Sequence, residues 1–212
     1  IKSVIEKTGV TVNTVCADYF MEAPLHSEDH KASNLSQQIL TRIINNTSEL
    51  GVTDLVIPCV DQSSLDSSEA TDRFVKRLIP IVEVAENMKI NLSLETDLAP
   101  QPFVNLLKRF NSDRVTVNYD IGNSAALGYD TEEELSVYGS RITDVHIKDR
   151  TKGGGSVELG TGDADIEKSL SLLLDINYSG FFIMQAFRDD EGLAIFERQL
   201  KLFRKMLKSA GY

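Results

Sequence analysis

Residues 115–123 read VTVNYDIGN and residues 142–150 read ITDVHIKDR. Each opens with a β-branched run, a composition that favours strands. Each closes on polar side chains: Asp120 in the first, His146, Lys148, Asp149 and Arg150 in the second. The apolar part is nearly continuous rather than alternating, the mark of a strand covered on both faces in a parallel sheet. Working outward, the same texture predicts six strands, at Val10–Cys16, Asp54–Val60, Ile90–Glu95, Arg114–Asp120, Ile142–Lys148 and Gly180–Gln185.

The segments between them carry helical periodicity. Leu35, Ile39, Leu40, Ile43 and Ile44 show it. So do Phe74, Leu78, Ile81, Val82 and Ala85, then Phe103, Leu106, Leu107 and Phe110, then Ile166, Leu170, Leu173 and Leu174, and finally Ile195, Leu200, Phe203 and Leu207. Residues 1–8 read as an opening helix. Gly9, Gly51 and the stretch 177–180 stand as breakers ahead of strands. Strand–helix alternation implies right-handed βαβ units. Six strands fit either an open, doubly wound sheet or a (β/α)8 barrel lacking two of its units. A complete barrel takes about 250 residues.

The chain has 212 residues, 42% of them hydrophobic and 25% charged, enough for one soluble domain over 1–212. The net charge of −10 argues against a nucleic-acid surface, which needs clustered Lys and Arg. No apolar run reaches the roughly eighteen residues of a membrane span, and residues 1–8 lack the pattern of a signal peptide. Cys16 and Cys59 sit in apolar runs and read as reduced, buried thiols. Together these features point to the cytoplasm.

The ends of the last four predicted strands carry the chemistry. Glu95, Asp120, His146 and Gln185 occupy matching places on four consecutive strands. In a barrel those ends converge on one mouth, where barrel active sites lie. Carboxylate, imidazole and amide donors make a plausible divalent-ion set. Taken singly, Asp120 also fits a helix N-cap and His146 a satisfied core histidine. Lys148 shares the side of His146 and can contact substrate oxygens or pair with an acid. Arg150 beside the Gly153–Gly155 loop can cradle an anion, or the glycines can simply form a flexible loop. Asn123 can bond a substrate hydroxyl or cap a segment. Arg188 can bind substrate or pair with Asp189 or Asp190. His26, in PLHSED, lies on a loop where surface exposure and substrate contact are both open. LGTGDAD (159–165) has glycines but not the spacing of a dinucleotide fingerprint; Asp165 reads as an N-cap.

These blocks, PLHSED, LSLET, YDIGNSAA, VHIKD and LGTGDAD in that order, resemble the xylose-isomerase-like TIM-barrel superfamily, and within it the L-ribulose/L-xylulose 5-phosphate 3-epimerase type. The resemblance implies a (β/α)8 TIM barrel of which this chain covers roughly strands three to eight, without the first two βα units. It implies one divalent metal ion (Mn, Mg, Zn or Co) on Glu95, Asp120 and His146, with Gln185 in the fourth place. Asn123, Lys148, Arg150, Arg188 and His26 would lie near the substrate, a sugar or sugar phosphate. The implied activity is isomerisation or epimerisation by proton transfer next to a carbonyl, through an enediolate. An open six-strand barrel would expose strand edges, so self-association of the chain is a further expectation. The departure is Gln185. The epimerases of this group hold a second glutamate there, and glutamine can ligate but cannot take a proton. A lyase such as a dehydratase, a metal-dependent hydrolase and a non-catalytic sugar-binding relative are the alternatives.

Overall fold

A computed structural model describes residues 1–187 and 192–212. The chain divides into two compact units. The first comprises Ile1–Leu98 and Asn105–Val117, the second Ala99–Val104 and Asn118–Tyr212.

In chain order the first unit runs α1 (Lys2–Thr8), β1 (Thr14–Cys16), α2 (Tyr19–Glu22), α3 (His30–Ser48), β2 (Asp54–Cys59), α4 (Ser68–Met88) and β3 (Asn91–Thr96). Helix α5 (Pro100–Leu107) and strand β4 (Val115–Asp120) carry the chain across the division. The second unit continues with α6 (Ile121–Leu127), α7 (Thr131–Tyr138), β5 (Ile142–Ile147), β6 (Asp149–Arg150), β7 (Ser156–Val157), α8 (Ile166–Asp175), β8 (Phe181–Met184) and α9 (Leu193–Ala210).

All six predicted strands are present, in the sheet order β1-β2-β3-β4-β5-β8. In the first unit β1 pairs with β2, β2 with β3 and β3 with β4, each parallel. In the second, β5 pairs parallel with β8. Every residue of β2 and of β4 is buried, which is why their sequences do not alternate. Pro58 has no N–H to give a neighbour, yet it sits inside β2. The β1 register ends at Cys16 opposite Val56, so no β1 partner stands level with Pro58 and no ladder bond is lost on that edge. The expected first strand shrinks to three residues. Its Cys16 is exposed rather than buried, and the thiol donates to the Asp18 carboxylate at 3.1 Å.

The helices follow their periodic faces. Phe74, Leu78, Ile81, Val82 and Ala85 of α4 are buried, as are Leu40 and Ile44 of α3, whereas Leu35 turns outward. Asp29 caps α3 through the Lys31 N–H at 2.8 Å, and Ser67 caps α4 through the Ala70 N–H. A polar layer threads the first unit. Asp54 accepts from Asn91 and Ser93, and the Ser93 hydroxyl lies 2.9 Å from that of Thr116. Buried polar groups are tolerated because they bond one another. Among the described residues no helix is long and apolar enough to cross a membrane.

The small antiparallel pair β6–β7 lies outside the strand texture of the sequence. The three glycines at 153–155 turn the chain between its strands: the Gly154 N–H donates to the Thr151 carbonyl and the Thr151 N–H to that of Gly155.

Candidate metal and substrate site

In the second unit, β4 ends on Asp120 and the chain enters α6 without a linker. Asp120 is the N-cap of α6: its Oδ1 accepts the Asn123 N–H at 2.8 Å. The cap leaves Oδ2 for other work. Lys148 Nζ lies 3.1 Å from that oxygen and His146 Nδ1 3.9 Å from it. The N-cap reading of Asp120 is met by Oδ1, while Oδ2 faces Lys148 and His146. His146 is buried on β5, and the side-chain amide nitrogen of Asn118 lies 3.2 Å from its Nδ1. Asn118 precedes Asp120 by two on β4, hence on the same face. That i, i+2 relation is the signal in the sequence by which it could have been found.

Asn123 gathers the cations. Its Oδ1 accepts from Lys148 Nζ at 3.3 Å and from Arg150 Nη1 at 2.8 Å. The remaining nitrogens of Arg150 donate to the Gly154 carbonyl, Nε at 3.1 Å and Nη2 at 2.7 Å. The glycine loop thus meets Arg150 with a carbonyl oxygen and fixes the guanidinium beside Asn123. Gly122 explains how close these pieces come. A Cβ built on it would lie 2.9 Å from the Lys148 backbone carbonyl carbon and oxygen.

Asp149 has a different task from its neighbours. It is 1% exposed. Its Oδ2 accepts the Gly160 and Gly162 N–H groups at 2.8 and 2.9 Å, and its Oδ1 accepts that of Ala164 at 3.1 Å. The LGTGDAD segment is wrapped on this carboxylate, and Asp165 caps α8 as expected. Gln185 follows β8, its N–H bonded to the Ile147 carbonyl at 2.9 Å. Its side-chain oxygen is buried with no hydrogen-bond partner among the described residues. Arg188 lies outside the described residues.

In the first unit, Glu95 is buried in β3, in register with Pro58 of β2, and Thr96 pairs with Cys59. Burial, with the charges of Asp97 and Glu95 nearby, pushes the Cys59 thiol well up, so it stays protonated. Asp97 accepts the Ser64 hydroxyl at 2.8 Å; its pKa is raised, chiefly by burial. His26 is buried, not on an exposed loop. Its carbonyl accepts from Arg73 Nε at 2.8 Å and its ring stands edge-on to Phe74. Burial first, and the Arg73 charge second, hold its pKa below the ordinary 6.5.

Glu95 in the first unit, and Asp120 and His146 in the second, are each buried and each offers a donor of the kind divalent ions take. Two carboxylates and an imidazole suit Mn, Mg, Zn or Co, with oxygen donors favouring the harder ions. The donor set fits such an ion without any added ligand type.

The family described as Xylose isomerase-like TIM barrel matches residues 1–206. SgbU of Haemophilus influenzae is 26% identical over 224 residues, covering 98% of this chain and 78% of that protein. The L-ribulose-5-phosphate 3-epimerase UlaE of Escherichia coli O1:K1 is 27% identical over 191 residues, or 85% of this chain and 66% of UlaE. Among solved structures, a xylose isomerase domain protein from Planctomyces limnophilus superposes with a TM-score of 0.81 at 18% identity, over 99% of this chain and 82% of that one. A xylose isomerase-like TIM-barrel protein from Mycobacterium smegmatis in complex with magnesium does so with a TM-score of 0.76 at 19% identity, over 98% and 76%.

Proposed function

The chain belongs to the xylose isomerase-like TIM-barrel family, and on that premise we propose that it is a sugar isomerase or epimerase, acting on a ketose or aldose and by preference on its phosphate ester. The observation that carries the reading is the burial of acids and imidazole at strand ends, Glu95 on β3 in the first unit and Asp120 with His146 on β4 and β5 in the second. Buried carboxylates are costly unless paired or coordinated. The name of UlaE supports the substrate class.

In this reading Glu95, Asp120 and His146 hold one divalent ion, with the Gln185 oxygen in the fourth place. When bound, the ion supplies Lewis-acid polarisation of the substrate carbonyl. Glu95 removes the proton from the carbon next to that carbonyl; the C–H electron pair becomes the C=C bond of the enediolate. A carboxylate suits the task because it can take the proton and return it. Lys148 and Arg150, converging on Asn123, orient substrate oxygens. His26 is a further substrate contact in this reading, and Arg188 is carried as a candidate from the sequence alone.

Gln185 shapes the outcome. An amide cannot deliver a proton to the opposite face of the enediolate. Return from Glu95 on the same face, at the adjacent carbon, gives 1,2-isomerisation, whereas epimerisation needs a second donor. Gln185 thus favours a one-base isomerase, or a dehydratase using the same abstraction, over a two-base epimerase. It also supports the weaker reading of a sugar-binding relative without turnover.

The test is metal analysis of the purified chain beside Glu95→Gln, followed by pentulose and hexulose phosphates in deuterated solvent. About one ion per chain, lost in the variant, with deuterium entering next to the carbonyl, is the expected result. No metal in either protein after incubation with Mn or Zn sinks the enzyme reading and leaves sugar binding.

A further inference from the structure

We propose that Glu134, on α7, is the positioning residue for the turn that carries Asp120 and Asn123. Its carboxylate is 3% exposed and accepts three hydroxyls. Tyr119 donates to Oε2 at 3.2 Å, Ser124 donates to the same oxygen, and Tyr138 donates to Oε1 at 2.7 Å. Tyr119 immediately precedes Asp120. Ser124 immediately follows Asn123. One buried carboxylate therefore holds both ends of the four residues between them, with Tyr138 anchoring it from its own helix. The rings of Tyr119 and Tyr138 stand 6.4 Å apart, and Tyr138 packs on Phe103 at 5.2 Å, which gives the hydroxyls a rigid base.

Nothing in the proposed reaction uses Glu134; it reaches the site only through Tyr119 and Ser124. A carboxylate left in this environment without partners would be strongly unfavourable. Its burial raises its pKa, and the bonds from Ser124, Tyr138 and Tyr119 pull the other way. An apolar residue would fill the same space at lower cost, so the function of the carboxyl group is directional. Three hydroxyls converging on one buried acceptor group restrain it in angle as well as distance. They fix the angle at which β4 turns into α6, hence where Asp120 Oδ2 and the Asn123 amide point. The effect on metal binding rests on Asp120 being a ligand. Groups behind a ligand typically alter metal affinity or activity by about 10- to 100-fold.

The experiment uses the full chain with Glu134→Leu, Glu134→Gln and, as a control for simple destabilisation, Leu173→Ala in the α8 core. Two readouts are taken. In metal-free protein, amide exchange over residues 119–125 is expected to rise about tenfold or more in Glu134→Leu while β2 keeps its protection. By calorimetry, Mn binding is expected to weaken about tenfold in Glu134→Leu. It should stay at the wild-type level in Leu173→Ala and return most of the way in Glu134→Gln, which keeps an acceptor oxygen. Unchanged exchange over 119–125, or an equal rise in the Leu173→Ala control, overturns the positioning role. A wild type that binds no Mn refutes the metal reading, and the exchange result then decides the role of Glu134 alone. Should Glu134→Leu fail to fold, Ser124→Ala with Tyr119→Phe removes the same two bonds and is read in the same way.

Discussion

The ammonium of Lys148 stands 3.1 Å from Asp120 Oδ2 while the other oxygen of that carboxylate caps α6. A cation in that place neutralises the acid and also stands in the way of a second cation. With an effective dielectric of about 20, an ammonium and a divalent ion about 6 Å apart repel by about 5–6 kcal/mol, part of which a long side chain escapes by swinging toward water. Lys148→Met is therefore expected to bind Mn more tightly, by about tenfold in calorimetry, while losing turnover through a higher KM. Weaker Mn binding in the variant would mean that Lys148 organises the ligand rather than competing for it.

The two roles of Asp120 can be separated. Asn is about as good an N-cap as Asp, whereas Ala costs about 1 kcal/mol. Asp120→Asn is expected to keep the metal-free urea midpoint close to wild type and to lose Mn binding by about 100-fold. Asp120→Ala should lose both. Equal stability losses in the two variants would show that the charge, not the cap, matters to the fold.

Asp149 is expected to be structural. Three backbone N–H groups converge on it, and a bond to a charged acceptor contributes about 1.5–3 kcal/mol. Asparagine would turn an N–H₂ toward donors. Asp149→Asn should destabilise by about 3 kcal/mol in urea unfolding and open residues 151–163 to limited proteolysis. Gly162→Ala should behave alike, since a Cβ there would run into the Asp149 carboxylate. A cleavage pattern matching wild type would remove this role.

His26 should make stability depend on mild acid. Its folded pKa lies below 6.5, so the unfolded chain takes up the proton first. Its contribution is whole above pH 6.5 and is lost as pH falls from there toward the folded value. His26→Gln should flatten the stability profile below pH 6.5. A profile unchanged by the substitution would assign the acid sensitivity to carboxylates.

Gln185→Glu introduces a group that can carry a proton. It is expected to bind Mn about tenfold more tightly, as an anionic ligand should, and to add inversion at the carbon next to the carbonyl. Chiral analysis of the product reports it. Gain of metal without inversion would place residue 185 as a ligand only.

The strands are legible in the sequence because burial on both faces leaves a continuous apolar signature, as in β2 and β4. Glu95, Asp120, His146 and Gln185 stand out because each interrupts such a run at its end. What the sequence hides depends on folding back. Glu134 sits among the acids of TEEEL with nothing local to distinguish it from Glu132 or Glu133; only the approach of Tyr119 and Ser124 does. Asp149 reads only as one of the polar residues that close its strand, whereas the glycines that enclose it lie eleven and thirteen residues further on. Val10–Cys16 reads too long because β-branched residues also suit extended loops, and only three of those residues find a partner strand.

Gly122 bears on redesign. With no room for a methyl group against the Lys148 backbone, position 122 acts as a fixed hinge pin between two segments that both carry functional groups. A programme to accommodate bulkier sugars gains nothing by diversifying it, since each replacement would displace Lys148 and Asp120 together. The productive library is the pair Asn123 and Arg150, whose side chains can be shortened while the main chain beneath them keeps its spacing.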